Sequence, residues 1–138
     1  MYDLERDKPH SNLLTYISLI VTAILLLSIC LGTYWYLEKS AGHMLSYVPQ
    51  IENALSENNW QQVTAEFDDV KAYWDKHKDI WQCLILHQEI DDIETEFMLL
   101  QGYINTKSTE DTLSSLYKLK YTIDHVPDTE RIAFYNIL

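Results

Sequence analysis

Residues 79–104 read DIWQCLILHQEIDDIETEFMLLQGYI, and this stretch decides the expected fold. Its apolar residues recur at alternating intervals of three and four, which places them on one face of an α-helix. No proline or glycine interrupts the pattern before Gly102. We therefore predict a central helix over residues 79–104, with a row of apolar residues, here called its seam, formed by Cys83, Leu86, Ile90, Ile93, Phe97, Leu100 and Ile104.

A long helix with one apolar face needs other helices to cover that face. Leu84, Met98 and Leu99 widen the apolar face beyond the narrow stripe of a two-stranded coiled coil. This width is typical of a helix inside a bundle. The sequence therefore predicts an all-α protein with an antiparallel helical bundle, in which Cys83 is a small buried hydrophobic residue.

Two helices are predicted before the central one. The first begins near Tyr47 with Pro49 in its first turn, where proline is tolerated. It ends in the polar residues 57–59, and Asn59 is expected to cap the second helix, over residues 60–77. Residues 75–79 are expected to form a charged link. The two seams are Met44, Val48, Ile51 and Leu55, then Trp60, Val63, Phe67, Val70 and Trp74.

Two more helices are predicted after the central one. Ser108 or Thr109 can cap the first of these, whose first turn is acidic. Pro127 is expected to end it, so that residues 129–138 form a short separate helix that docks on the bundle. Residues 38–138 then make one acidic domain of four main helices and a short C-terminal one. The fourth main seam is Thr112, Leu116, Leu119, Ile123 and Val126.

The N-terminal part predicts a membrane anchor. Residues 1–11 form a polar tail, and no charged residue occurs from Leu13 to Leu37. A run of this length can cross a bilayer as a helix and is longer than the apolar part of a cleaved signal peptide. We predict a transmembrane helix over residues 12–37, with Trp35 in an aromatic belt at its end.

The charges that flank this helix predict its orientation. Arg6 and Lys8 precede it, and Lys39 follows it closely. Because positive residues favour the cytoplasmic side, we expect a cytoplasmic N-terminus and an extracytoplasmic C-terminal domain. With 10 basic and 21 acidic residues, the chain carries a net charge of −11. This balance disfavours binding to nucleic acid and favours solubility, cations or basic partners.

One group of residues on the central helix has the spacing of a metal site. His87, Asp91 and Glu94 share one helix face, and they could bind a divalent metal if a second helix supplied more ligands. His77 and His125 are the candidate additional donors. The competing interpretation is a polar flank beside the seam. The tryptophans likewise have helical spacing, which predicts a core rather than a stacking platform for a ligand.

The sequence contains no motif that indicates an enzyme. It has no phosphate-binding loop, nucleophile elbow, His-Glu-x-x-His or Cys-x-x-Cys. We expect no catalytic activity and no cofactor; an enzyme would require a deep polar pocket in which His87, Asp91 and Glu94 meet His125. Cys30 and Cys83 lie in segments that cannot readily meet, so we predict no intramolecular disulfide.

The order of several short motifs resembles a known family. Asn58-Asn59-Trp60 is followed by Trp74, then Trp81 with HQEIDDIE at residues 87–94, then Asp124-His125-Val126 and a closing Asn136-Ile137-Leu138. This order is similar to the domain-of-unknown-function family 4363, small single-span membrane proteins of mainly spore-forming Gram-positive bacteria. The family has no assigned activity. Its members are often encoded near a multi-pass membrane protein, which implies an accessory role.

Two functional hypotheses follow. The first is a non-enzymatic, membrane-anchored accessory or partner-binding subunit, whose partners are the lipid bilayer and a multi-pass membrane protein. Self-association is an open variant, because apolar positions such as Leu99 could form an interface. The alternative is an extracytoplasmic domain that senses or binds a metal or small ligand with His87, Asp91 and Glu94.

Overall fold

The computed structural model describes the backbone of residues 9–135 and the side chains of residues 12–127. These residues form five α-helices and no strand, which confirms the predicted all-α class. The helices are α1 Pro9–Leu45, α2 Val48–Ser56, α3 Trp60–Leu84, α4 His87–Thr106 and α5 Thr109–Tyr135. The chain divides into two compact units, Met1–Thr33 and Tyr34–Leu138.

The first unit contains the apolar part of α1. One helical stretch among the described residues, starting at Asn12, is long and apolar enough to cross a membrane. Its side chains from Leu13 to Ile29 are exposed. The hydroxyls of Thr22 and Ser28 donate to carbonyls of their own helix, four residues earlier, at 2.8 Å each. Such bonds satisfy polar groups that a bilayer could not. The tail predicted for residues 1–11 lies largely outside the described residues.

The second unit is an antiparallel bundle. The end of α1 and the short α2 together form one side of the bundle, and α3, α4 and α5 form the rest. Two-residue turns join α3 to α4 and α4 to α5, so consecutive helices run in opposite directions. Phe67 of α3 lies 6.2 Å from Phe97 of α4 between ring centroids, and Trp74 also stacks on Phe97.

The predicted seams of α2, α3 and α5 form the core. Every residue of these three predicted seams is buried except Trp60, which is partly buried, although Met44 lies in α1 and not in α2. Trp74 and Trp81 are fully buried and pack edge to face at 5.4 Å between centroids. The core role predicted for the tryptophans is therefore confirmed. Two local predictions also hold: Pro49 lies in the first turn of α2, and the Asn59 side chain accepts a 3.2 Å bond from the Gln62 amide.

The predicted single helix over residues 79–104 is wrong. α3 continues to Leu84, the chain turns at Ile85 and Leu86 in extended conformation, and α4 begins at His87. The predicted charged link at residues 75–79 is helical for the same reason, since it lies inside α3. The apolar period continues through the turn because Trp81 and Ile85 are buried on one side of it and Ile90 on the other. Periodicity alone could not locate this break.

The break changes the surroundings of several predicted core residues. Cys83 and Leu86 are exposed instead of lying in the seam, whereas Ile90, Ile93, Phe97, Leu100 and Ile104 are buried as predicted. The wider apolar face is also wrong: Leu84 is half-buried, and Met98 and Leu99 are exposed. Cys30 and Cys83 are both free cysteines.

Pro127 does not end α5, contrary to the prediction. It lies inside the helix, which continues to Tyr135. Proline removes one backbone donor from a helix, and Pro127 is itself buried, so its ring adds apolar packing where that bond is lost. The backbone of residues 129–135 therefore extends α5. The remainder of the predicted C-terminal helix, residues 136–138, lies outside the described residues.

Candidate functional site

Four polar or charged side chains are buried among the described residues: Ser40, Glu96, Thr112 and Ser115. Ser40 is satisfied, because its hydroxyl accepts a 3.1 Å bond from the Trp81 indole. In the described part of the protein, Oε2 of Glu96 and the hydroxyls of Thr112 and Ser115 have no hydrogen-bond partner. Buried polar atoms are almost always paired in folded proteins, so these atoms mark a candidate site.

The helix geometry of α4 explains why Glu96 is buried. It precedes Phe97, which is fully buried, and it therefore lies at the edge of the seam on the side that meets α5. The Nζ atom of Lys118 on α5 is 2.6 Å from Oε1 of Glu96. The Glu96 side chain is 7% exposed, whereas that of Lys118 is 66% exposed, so the lysine reaches in from the solvent.

The two carboxylate oxygens of Glu96 have different environments. The hydrogen bond with Glu96, and then the attraction of its charge, raise the pKa of Lys118 above its ordinary value of 10.5. This ion pair compensates Oε1, but Oε2 is buried without a donor. Burying a carboxylate costs several kcal/mol unless its oxygens are paired, so only half of this group is compensated within the described residues.

Glu96 and Lys118 belong to a groove between α4 and α5, here called the α4–α5 groove. Its volume is about 120 Å³, which is room for roughly four water molecules at ~30 Å³ each. Glu96 and Asp111 outweigh the single charge of Lys118, so the groove is acidic. Leu99, which is 41% exposed, supplies an apolar edge. The lining residues are Glu96, Leu99, Tyr103, Asp111, Ser114, Ser115 and Lys118.

The predicted metal residues occupy a different part of α4. His87 and Asp91 are exposed, while Glu94 is half-buried and faces α3. Oε1 of Glu94 accepts a hydrogen bond from the Trp74 indole and lies 3.6 Å from Nζ of Lys78. Glu94 thus has a structural role that sequence reasoning did not assign. Its hydrogen bond explains how a fully buried indole donor is satisfied.

The two additional histidine donors are likewise engaged elsewhere. His77 donates through Nδ1 to the Tyr73 carbonyl at 2.8 Å, and the ring of His125 stacks on Tyr121. Within residues 12–127, no three His, Cys, Asp or Glu side chains are grouped so that they could hold a metal ion. The hypothesis that His87, Asp91 and Glu94 bind a metal stays a prediction.

A second cleft lies beside the end of the apolar run of α1. Its volume is about 280 Å³, and it is lined by Trp35, Tyr36, Lys39, Ser40, His43 and Tyr73. The rings of His43 and Tyr73 are 4.2 Å apart, and Nζ of Lys39 lies 4.9 Å from the Trp35 ring centroid. This aromatic and basic lining is typical of side chains that meet lipid headgroups.

Sequence reasoning missed the α4–α5 groove. Glu96 was one acid among several on a polar helix, and its position next to Phe97 was one signal. Ser115 and Thr112 gave a second signal, because hydroxyl residues on a seam face must find partners in the core. Neither signal identifies the groove until α4 and α5 are placed side by side.

The fold and the groove define a helical-bundle protein with one candidate membrane helix and a half-satisfied buried carboxylate. The chain belongs to the family described as domain of unknown function (DUF4363), which matches residues 31–137. The predicted family resemblance is therefore confirmed. No curated protein and no solved structure matches the chain.

Proposed function

We propose that this protein is a non-enzymatic, membrane-anchored accessory subunit that binds a partner protein through the α4–α5 groove. The observation that carries the proposal is the unpaired Oε2 of buried Glu96. A carboxylate that served only the fold would be paired at both oxygens or replaced by an apolar residue, since half-satisfied buried groups destabilise a core.

The chemistry of the groove favours a cationic side chain of the partner. Oε2 of Glu96 needs a donor, and Asp111 adds a second carboxylate. An arginine guanidinium carries five donors in a planar fork and pairs well with carboxylates. The net charge of −11 adds a long-range attraction for a basic surface. Leu99 and Tyr103 would pack against the aliphatic part of such an arginine.

Anchoring follows from α1 in this proposal. In the proposed arrangement, α1 crosses a bacterial cell membrane with the N-terminus in the cytoplasm and residues 38–138 outside, and the partner is a multi-pass membrane protein. A shared membrane raises the effective concentration of two such proteins. One arginine bound in the groove, together with the contacts around it, then suffices for stable association.

The test is an affinity purification of the full-length protein from native membranes, with mass spectrometry of the captured proteins. The wild type is compared with Glu96→Gln, which removes the buried charge, and with Asp91→Asn, which removes an exposed charge from the same helix. We expect a stoichiometric multi-pass protein with the wild type and Asp91→Asn, and its loss with Glu96→Gln.

The unfolding temperatures of the three proteins establish that each is folded. Equal capture by Glu96→Gln would contradict the role of the groove, and the absence of any stoichiometric membrane partner would contradict the accessory role. Elemental analysis of the same samples tests the alternative hypothesis: bound metal that disappears in His87→Ala would favour a metal-binding domain.

A further inference from the structure

The two ends of the bundle have opposite chemistry. At one end, the α2–α3 turn contains Glu57, Asn58 and Asn59, and the α4–α5 turn contains Lys107 and Ser108. Both turns are polar, as loops in water usually are. At the other end, residues 80–88 around the α3–α4 turn contain no Asp, Glu, Lys or Arg. This turn carries none of the chain's 21 acidic residues.

The uncharged turn presents large apolar side chains to the surroundings. Leu86 is 68% exposed and Ile80 is 47% exposed, and Cys83 between them is exposed as well. The turn is held firmly from inside, because Trp81 is fully buried and Ile85 is 8% exposed. Leu86 and Ile80 therefore have no core position that they could enter without unfolding the turn.

The turn lies beside the residues that follow the apolar run of α1. The indole of Trp81 donates to the hydroxyl of Ser40, and Ser40 lines the cleft that contains Trp35 and Lys39. Trp35 is 61% exposed. Aromatic residues next to a membrane span lie at the headgroup level, so a turn packed against this segment is at the same level.

We propose that the α3–α4 turn inserts Leu86 and Ile80 into the interfacial layer of the bilayer that α1 crosses. This inference rests on the membrane anchoring in the proposed function, but not on the α4–α5 groove. Interfacial segments bury apolar side chains about 5–10 Å into the boundary of headgroups and acyl chains. The acidic bundle disfavours anionic lipids, so the uncharged turn meets zwitterionic lipid.

The proposed contact has a structural consequence. A domain held at the bilayer by one helix can still tilt together with that helix relative to the membrane surface. A second contact at the turn restricts that motion, because Leu86 can remain in the interface only at certain tilts of the bundle. The distance of the α4–α5 groove from the membrane surface then becomes fixed, which limits where a membrane partner can present its cationic side chain.

Cys83 provides a native position for the test. The Cys30→Ser variant leaves Cys83 as the single cysteine, and an environment-sensitive NBD fluorophore is attached to it in full-length protein reconstituted into phosphatidylcholine vesicles. Blue-shifted emission and quenching by lipids with a doxyl group near the headgroup report insertion. The matched control carries the fluorophore at the opposite end of the bundle, in Glu57→Cys with both native cysteines replaced by serine.

We expect blue-shifted emission and lipid quenching at Cys83, and water-like emission without lipid quenching at position 57. Adding Leu86→Glu and Ile80→Glu to the Cys83 protein should move its emission to that of the control, whereas adding Met98→Glu, another exposed apolar residue, should leave it unchanged.

Flotation of the vesicles separates this inference from the anchoring. Protein that floats with the lipid but shows water-like emission at Cys83 would overturn the insertion and leave the anchor intact. Protein that does not float would overturn both. Emission that is blue-shifted in detergent micelles only at high protein concentration would assign the turn to a contact between copies of the protein. That result would overturn the lipid contact.

Discussion

Each of the two interfaces of α4 contains an acidic side chain, and the two side chains differ in how their carboxylate oxygens are paired. Towards α3, Glu94 accepts a hydrogen bond from Trp74 and lies near Lys78, and the surrounding rings of Trp74 and Phe97 are stacked. Towards α5, Glu96 is more deeply buried, yet Oε2 is unpaired. An acid with partners at its own interface serves the fold. An acid that is buried more deeply with fewer partners is the better candidate for binding another molecule.

The largest effect is expected at the aromatic interface of α3 and α4. Trp74→Ala removes a fully buried ring that contacts Trp81 and Phe97 and donates a hydrogen bond to Glu94. Replacing a buried large aromatic residue with alanine costs about 3–5 kcal/mol of unfolding free energy. We expect urea unfolding to show a loss of this size. An unfolding free energy within about 1 kcal/mol of the wild type would contradict the burial of the Trp74 ring.

The next effect concerns the hydrogen bond of Glu94. Glu94→Ala leaves the buried indole donor of Trp74 without its partner, which costs about 1–3 kcal/mol. The matched variant Trp74→Phe combined with Glu94→Leu removes both partners, and we expect it to be closer to the wild type than Glu94→Ala. Thermal unfolding of the two variants measures the difference. If the double variant were the less stable of the two, the hydrogen bond would not explain the effect.

A smaller effect of opposite sign is expected at the α5 interface. Ser115→Ala removes a buried hydroxyl that has no partner among the described residues, so the unfolding free energy should stay the same or rise by up to ~1 kcal/mol. Capture of the partner should weaken in the same variant. Ser56→Ala is a suitable control, since its exposed hydroxyl donates to a carbonyl of its own helix. A clear loss of stability in Ser115→Ala would show that the hydroxyl serves the fold.

The smallest effect is the pH dependence of the Glu96–Lys118 pair. The hydrogen bond with Glu96 raises the pKa of Lys118 above 10.5, so the pair stabilises the folded state fully below that pH, and the contribution is lost as pH rises through the folded-state pKa. We expect the unfolding temperature to fall as the pH rises above 10.5. Because Lys118 is mostly exposed, solvent screens this contribution.

The control for this pH effect is Lys118→Arg, which stays protonated over the whole range. Tyr117 contributes a fall of the same sign, because its hydrogen bond with Glu52 raises the pKa of the tyrosine above 10.0. The comparison of wild type with Lys118→Arg cancels that contribution. An equal fall in both proteins would assign the alkaline sensitivity to Tyr117 or another group.

The sequence predicts the seam of α3 but not the residue at which α3 ends. The seam of α3 was predictable, since Val63, Phe67, Val70 and Trp74 have a regular helical period and all are buried. The end of α3 was not predictable, because the period continues through Ile85 and Leu86 without a glycine, proline or polar cluster. The turn depends on Trp81, whose indole is held between Trp74 and Ser40. Ser40 is 41 residues away in the sequence, and such a contact leaves no local signal.

The candidate site also has one part that the sequence predicts and one part that it does not. The residue types of the α4–α5 groove are visible in the sequence, but Glu96 and Ser115 become neighbours only when α4 and α5 pack with a particular rotation. The spacing of His87, Asp91 and Glu94 did identify one helix and one charged face. It did not indicate that Glu94 turns towards α3, because the indole donor that holds it comes from residue 74.

The sequence by itself determined the helical class, the apolar N-terminal helix, the seams of α2, α3 and α5, and the family. These properties depend on composition and on spacing within one segment, and the hydrophobic effect acts on them in any helical arrangement. The tertiary structure alone decided where α3 ends, that Pro127 stays within α5, that Cys83 and Leu86 face outward, and that Glu96 is buried with one oxygen unpaired. Each of these depends on which helices meet and at what rotation, and that follows from packing between residues that are distant in the chain.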